Sequence, residues 1–136
     1  MKKIKEIYLK YKEEILYLFF GGITFIVGSG LIVLLDFNGI IGTKARFISD
    51  GVAIIVAYIT NKIWVFESKC DTFKEFISEM LKFFSSRIFT TLLSILSAFI
   101  FVDKLHLNNL IVQFSTTFVV IILNYIISKL IVFKKK

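Results

Sequence analysis

Four stretches of this chain, residues 15–35, 45–66, 83–102 and 110–133, are long and almost unbroken in apolar character. A helix of about 20 residues crosses the ~30 Å hydrocarbon layer of a bilayer, and each stretch has that length. Backbone amides and carbonyls in lipid must bond within their own segment, so the four stretches are expected to be helices. Composition agrees: 57% of the 136 residues are hydrophobic, 16 are Phe and none is Pro. Together with a mean hydropathy of +0.81, this excludes an ordinary soluble domain. The length suits one membrane domain, residues 1–136, and the fold class expected is an all-α integral membrane protein.

The net charge of +7 would suit a nucleic-acid binder, but its placement argues otherwise. Lys2, Lys3, Lys5, Lys10 and Lys12 precede the first span. Lys62, Lys69, Lys74, Lys82 and Arg87 flank or fill the middle loop, and Lys129 and Lys134 to Lys136 end the chain. Only Lys44, Arg46 and Lys104 fall on the other side. By the positive-inside rule, both termini and the central loop face the cytoplasm, in a cytoplasmic membrane. No nucleic-acid partner is expected. The first apolar stretch is too long for a removable signal peptide and has no small-residue cleavage site.

The chain also repeats itself. Residues 46–66 laid over 113–133 match at Phe47/Phe114, Val52/Val119, Ile54/Ile121, Ile55/Ile122, Tyr58/Tyr125, Ile59/Ile126, Lys62/Lys129, Val65/Val132 and Phe66/Phe133. Such a repeat bears on the whole architecture. Repeat 1 covers about residues 1–68 and repeat 2 about residues 72–136. Each contains two spans, so the two are expected to be parallel two-helix repeats rather than inverted ones. The first spans correspond more loosely, Phe19-Phe20-Gly21-Gly22 with Phe83-Phe84-Ser85-Ser86. These small residues, with Gly28, Ser29 and Gly30, would let helices approach closely. Ahead of spans 1 and 3, apolar residues recur at helical spacing: Ile4, Ile7, Tyr8, Tyr11 and Ile15, then Phe73, Phe76, Ile77, Met80 and Leu81. They predict short amphipathic helices lying in the headgroup layer, or plain extensions of the spans.

Polar side chains within spans are costly, so each is a candidate for function. At 100° per residue, Ala57 and Asn61 each fall within about 20° of Asp50, with Arg46 and Trp64 on the border. At the repeat offset, Gln113, Thr117, Asn124 and Ser128 take the matching face. Two helices thus carry the same polar stripe from one membrane face to the other. Arg46 and Asp50, four apart, can pair across one turn. Lys62 and Lys129 lie one turn inside the cytoplasmic ends. There they either snorkel and complement helix C-termini or converge on a lipid phosphate. Arg87 is a third candidate phosphate ligand, its planar fork suited to that role. Trp64 is either an interfacial anchor or a sugar-stacking surface. Asp36, Asp103 and His106 are expected in solvent, and Cys70 as a free thiol in a polar loop.

No Gly-rich loop ending in Lys-Ser/Thr cradles a nucleotide, and no ligand cluster has metal spacing. The outer loops are too short for a catalytic site. No enzyme activity and no cofactor are expected.

These residues together resemble the GtrA-like family, small four-span membrane proteins of polyprenyl-linked sugar pathways. Phe20-Gly21-Gly22 matches the family's first-span opening, and Asn61-Lys62-Ile63-Trp64-Val65-Phe66 its second-span ending. The fourth-span ending is matched in part, with Ser128 for Asn and Ile131 for Trp; Asn124 stands where the family often has an earlier Asn. The acidic residue that many members carry after the Gly-Gly pair is absent, with Gly28 near its place. The resemblance implies translocation of a polyprenyl-phosphate monosaccharide from the cytoplasmic to the outer leaflet. An outer glycosyltransferase would then decorate a cell-envelope polysaccharide or teichoic acid. On that reading Lys62, Lys129 and Arg87 take the phosphate. Asn61, Asn124, Ser128, Asp50, Thr117, Arg46, Gln113 and Trp64 line the headgroup path. The partners implied are the sugar lipid, membrane lipids and membrane glycosyltransferases, with a homo-oligomer open to so thin a bundle.

Two other readings compete. A small multidrug/proton antiporter would need a carboxylate deep in the first span, where Glu13 and Glu14 lie at one edge and Asp36 at the other. A non-transporting scaffold would dock a glycosyltransferase on its Gly/Ser faces.

Overall fold

The computed structural model describes residues 1–133, so Lys134 to Lys136 of the basic ending lie outside the described residues. Among the described residues four helices are long and apolar enough to cross a membrane: Lys12–Phe37, Thr43–Val65, Phe73–Lys104 and Asn109–Val132. Among the described residues there is no strand, and the chain is all-α. It forms two compact units, Met1–Lys69 and Cys70–Lys136.

The first unit begins with α1 (Lys2–Lys10), which has no buried residue. Tyr11, at φ −112° and ψ 23°, separates it from α2 (Lys12–Phe37). The end of α2 is a Schellman turn. Gly39 takes φ +78°, its N–H bonds the Asp36 carbonyl at 3.0 Å, and the Ile40 N–H bonds that of Leu35 at 2.9 Å. A glycine is favoured there because a side chain is strained in the left-handed region. The chain then returns as α3 (Thr43–Thr60). Contacts run in opposite directions along the two helices, Phe20 with Trp64 and Gly28 with Ser49 and Ala53, so the hairpin is antiparallel.

At Gly28 α2 lies close against α3. A Cβ there would sit 3.4 Å from that of Ala53, and the Ser49 hydroxyl donates to the Gly28 carbonyl. At Gly21, Gly22 and Gly30 a Cβ would meet nothing within 4 Å, so these glycines do not serve the packing of the hairpin. Gly28→Leu is therefore expected to cost about 1–3 kcal/mol through overpacking. Gly21→Leu should be close to neutral. Thermal unfolding of the two variants in detergent checks this.

The second unit contains α4 (Phe73–Ser97) and α5 (Asn109–Ile127). Thr72 caps α4, accepting from the Glu75 N–H at 3.2 Å, while Glu75 accepts from the Asp71 N–H at 3.0 Å. The arrangement is a variant of the capping box in which Glu75 reaches Asp71, one residue before the cap. From there α4 runs unbroken into the third span. The amphipathic stretch from Phe73 to Leu81 is the opening of that helix and not a separate one, because no Gly or Pro interrupts it. Asn108 caps α5, accepting from the N–H groups of Leu110 and Ile111 at 2.9 and 3.3 Å. The pairs Phe83–Phe133, Thr90–Asn124 and Ser97–Thr116 make this hairpin antiparallel as well. Interhelical hydroxyl bonds of this kind contribute about 0.6 kcal/mol each in membranes.

Large side chains such as Phe25, Phe47, Phe89 and Phe114 stand exposed. In water such continuous apolar surface would drive association; against lipid tails it is the ordinary outer face of a helix.

Candidate functional site

Both Lys-containing endings leave the α-helical path. Asn61–Val65 follows α3 as a π-helical turn, and Ser128–Val132 follows α5 as another. Each is closed by an i→i−5 bond, Phe66 N–H to the Asn61 carbonyl at 2.9 Å and Phe133 N–H to the Ser128 carbonyl at 2.8 Å. π-turns are rare and occur often at functional sites. A third π-helical stretch, Ala98–Lys104, ends α4.

The two turns have the same burial pattern. Asn61 and Ser128 are buried at the start, and Val65, Phe66, Val132 and Phe133 are buried at the end. The lysine follows the buried polar residue in both: Lys62 is half-buried and Lys129 exposed. Phe66 packs on Tyr17 with ring centroids 6.4 Å apart and a 55° tilt. Phe133 packs on Phe83 at 5.8 Å and 54°. Each aromatic therefore anchors its turn to the neighbouring helix.

In the first unit Trp64 is 49% exposed and stacks on Phe20, 5.3 Å between centroids and 14° between planes. The aromatic preceding Gly21-Gly22 thus meets the Trp of the ending. In the second unit Lys129 donates to the Tyr125 hydroxyl at 3.3 Å. The Arg87 guanidinium lies 4.7 Å from the Phe83 ring centroid, in cation–π range. Phe83 therefore joins Arg87 to the turn through Phe133.

Asn124 is buried and accepts from Thr90 Oγ1 at 3.0 Å. Ser128 is wholly buried, and its Oγ has no hydrogen-bond partner among the described residues. A buried unsatisfied hydroxyl costs about 1–3 kcal/mol. Ser128→Ala is expected to leave thermal stability unchanged or raise it by about 1 kcal/mol, whereas Asn124→Ala lowers it by a similar amount. Unfolding midpoints of the two variants check this.

The remaining candidates lie elsewhere. Arg46 and Asp50 are exposed, with side-chain exposures of 76% and 61%, and form an i,i+4 ion pair at 3.7 Å. By helical rise Asp50 is about 17 Å from Asn61. Gln113 and Thr117 are also exposed. The face of α5 that packs on α4 moves from Val112 and Thr116 at one end to Asn124 and Ser128 at the other. One stripe of constant phase therefore becomes half buried and half exposed. Cys70 is half-buried, its thiol 3.5 Å from a carboxylate oxygen of the buried Glu79. Glu79, Thr90 and the rings of Tyr17, Phe20 and Phe83 were not apparent as site neighbours. The sequence signal that could have found Thr90 is the i,i+4 run Ser86-Thr90-Ser94, a polar face on α4. Among the described residues no group of three His, Cys, Asp or Glu could hold a metal.

The family model described as GtrA/DPMS, transmembrane domain, matches residues 16–133. The chain is 39% identical over 84 residues to the cell wall teichoic acid glycosylation protein GtcA of Listeria monocytogenes serovar 1/2a, covering 62% of this chain and 58% of that protein. It is 30% identical over 145 aligned positions to a Listeria monocytogenes protein of the same name, covering 98% of both. It is also 27% identical over 121 positions to the membrane protein YwcD of Bacillus subtilis, covering 88% of this chain and 95% of that one. No solved structure matches the chain.

Proposed function

The chain belongs to the GtrA/DPMS transmembrane-domain family, and from that premise we propose that this multi-pass membrane protein moves a polyprenyl-phosphate-linked monosaccharide across the cytoplasmic membrane. The sugar then serves the glycosylation of a cell-wall polymer, the role named for its GtcA relatives. Translocation runs from the cytoplasmic to the outer leaflet, with both termini cytoplasmic, and the protein makes no bond itself; a membrane glycosyltransferase uses the lipid outside.

The observation that carries this reading is the π-turn that recurs at residues 61–65 and 128–132, each presenting a lysine beside a buried polar residue. A sugar phosphate in hydrocarbon must hide a charge and several hydroxyls, each costing several kcal/mol if unpaired. Lys62, Lys129 and Arg87 supply cations for the phosphate at the cytoplasmic boundary. Asn61, Asn124 and Ser128 offer polar groups one step further in, where the free Oγ of Ser128 has an unused bond. Trp64, flat on Phe20, gives a sugar ring a face to stack on. Arg46, Asp50, Gln113 and Thr117 take over the hydroxyls toward the outer side, while the isoprenoid tail stays in lipid.

Cells lacking this protein are expected to keep their wall polymer but lose its sugar, and to accumulate the lipid-linked sugar on the inner leaflet. Compositional analysis of the wall polymer, with mass spectrometry of extracted lipids, reads both. Loss of the sugar without lipid accumulation points to a defect in making the lipid and contradicts the proposal.

A further inference from the structure

A groove of about 710 Å³ runs along α4 where α5 flanks it, lined by Lys74, Ser78, Leu81, Lys82, Ser85 and Phe89 on α4 and closed by Ile127 and Ile131. Its residues on α4 recur at three- and four-residue spacing, so they form one face of a single helix. Its chemistry divides along that helix. Lys74, Ser78 and Lys82 occupy the end nearer the start of α4, where Ile77 and Leu81 also line it, and Phe89, Ile127 and Ile131 make the walls beyond.

Lys74 and Lys82 are both exposed. They differ by eight residues, about 12 Å of helical rise, and Ser78 lies between them on the same face. Neither ammonium has an ion pair or hydrogen bond among the described residues. The nearby acids are engaged elsewhere: Glu75 accepts from the Asp71 N–H, and Glu79 is buried against Cys70. The groove thus offers two cations and the Ser78 hydroxyl at one end and, past Ser85, hydrocarbon walls at the other. That polarity fits a phosphate ester carried on one long hydrocarbon chain, because a single cleft beside one helix takes one chain.

We propose that this groove is the loading site for a polyprenyl phosphate lipid, with its phosphate between Lys74 and Lys82 and its chain along Phe89, Ile127 and Ile131. The assignment rests on the translocation reading and adds a place of entry distinct from Lys62, Lys129 and Arg87. Long-range attraction by the ammoniums raises the local concentration of an anionic lipid before any sugar-specific contact forms.

The test uses the full-length protein, purified and delipidated in detergent, with binding of undecaprenyl phosphate followed by native mass spectrometry. Phosphatidylglycerol, undecaprenol and inorganic phosphate serve as competitors. The expected result is at least ten-fold weaker binding of undecaprenyl phosphate by Lys74→Gln with Lys82→Gln. The Lys74→Arg, Lys82→Arg protein should bind normally, and so should Lys104→Gln. Competition by phosphatidylglycerol at equal strength makes this a general anionic-lipid surface and overturns the proposal. Equal competition by inorganic phosphate overturns the role of the chain, as undecaprenol binding as tightly overturns that of the phosphate. Unchanged binding by the double Gln variant overturns the site. Translocation by the same proteins in liposomes separates the two claims. A wild type that binds but does not translocate removes the functional reading and leaves the groove. A double Gln variant that binds and translocates normally removes the groove and leaves the function.

Discussion

Replacing Lys62 and Lys129 together by Ala is expected to lower the initial rate of sugar-lipid translocation about 100-fold, against about 10-fold for either alone. On the proposed reading each would contribute a charge-assisted bond to phosphate, and such bonds contribute about 1.5–3 kcal/mol. One such bond corresponds to about a tenfold change. Either lysine alone still offers an ammonium at the cytoplasmic boundary, so a single loss weakens capture without abolishing it. Beside each lysine the turn is held to the neighbouring helix by Phe66 against Tyr17 and Phe133 against Phe83, which the substitutions leave in place. The double variant should therefore unfold at nearly the wild-type temperature. Lys→Arg at both positions should restore most of the rate. If the double Ala variant translocates normally, the two lysines only snorkel.

The second large effect is expected from deleting Ile63. The π-turn carries one residue more than an α-turn, and its closing bond spans Asn61 to Phe66. Without Ile63 the same two groups can close an ordinary α-helical bond, and Phe66 can keep its place against Tyr17. The lysine and Trp64 would turn by up to about 100° relative to the anchor, and the stack of Trp64 on Phe20 would be lost. We expect a folded protein with translocation reduced at least 100-fold. Tryptophan fluorescence reports the change directly, because Trp64 is the only tryptophan in the chain. Retained activity with an altered tryptophan environment would separate Trp64 from sugar handling.

The spans were legible because about 20 consecutive apolar residues permit one solution in lipid. The second and fourth began and ended within two residues of where hydropathy put them. The third extended further, to Phe73, because an amphipathic helix without Gly or Pro continues a span in uninterrupted helical geometry. The π-turns were not legible. Over five residues the α and π periodicities are indistinguishable in the pattern of apolar positions, although the repeated motif marked both places. Asn61 and Asn124 could be recognised as costly intramembrane amides, but their burial depends on which face each helix turns to its neighbour. Phe20 under Trp64 required the pairing of α2 with α3. The constant polar phase of Arg46, Asp50 and Asn61 suggested one continuous surface, but crossing helices do not hold one face against each other over their whole length, so Asn61 is buried while Arg46 and Asp50 are exposed.

The central claim is that the protein itself moves the sugar lipid. Purified protein reconstituted into liposomes with polyprenyl-phosphate glucose, followed by a membrane-impermeant reagent that modifies only the exposed sugar, measures this directly. Modification approaching the whole pool within the assay, slowed about 100-fold by Lys62→Ala with Lys129→Ala, is the predicted result. Modification that stops at the outer leaflet's share, as in protein-free liposomes, would contradict it.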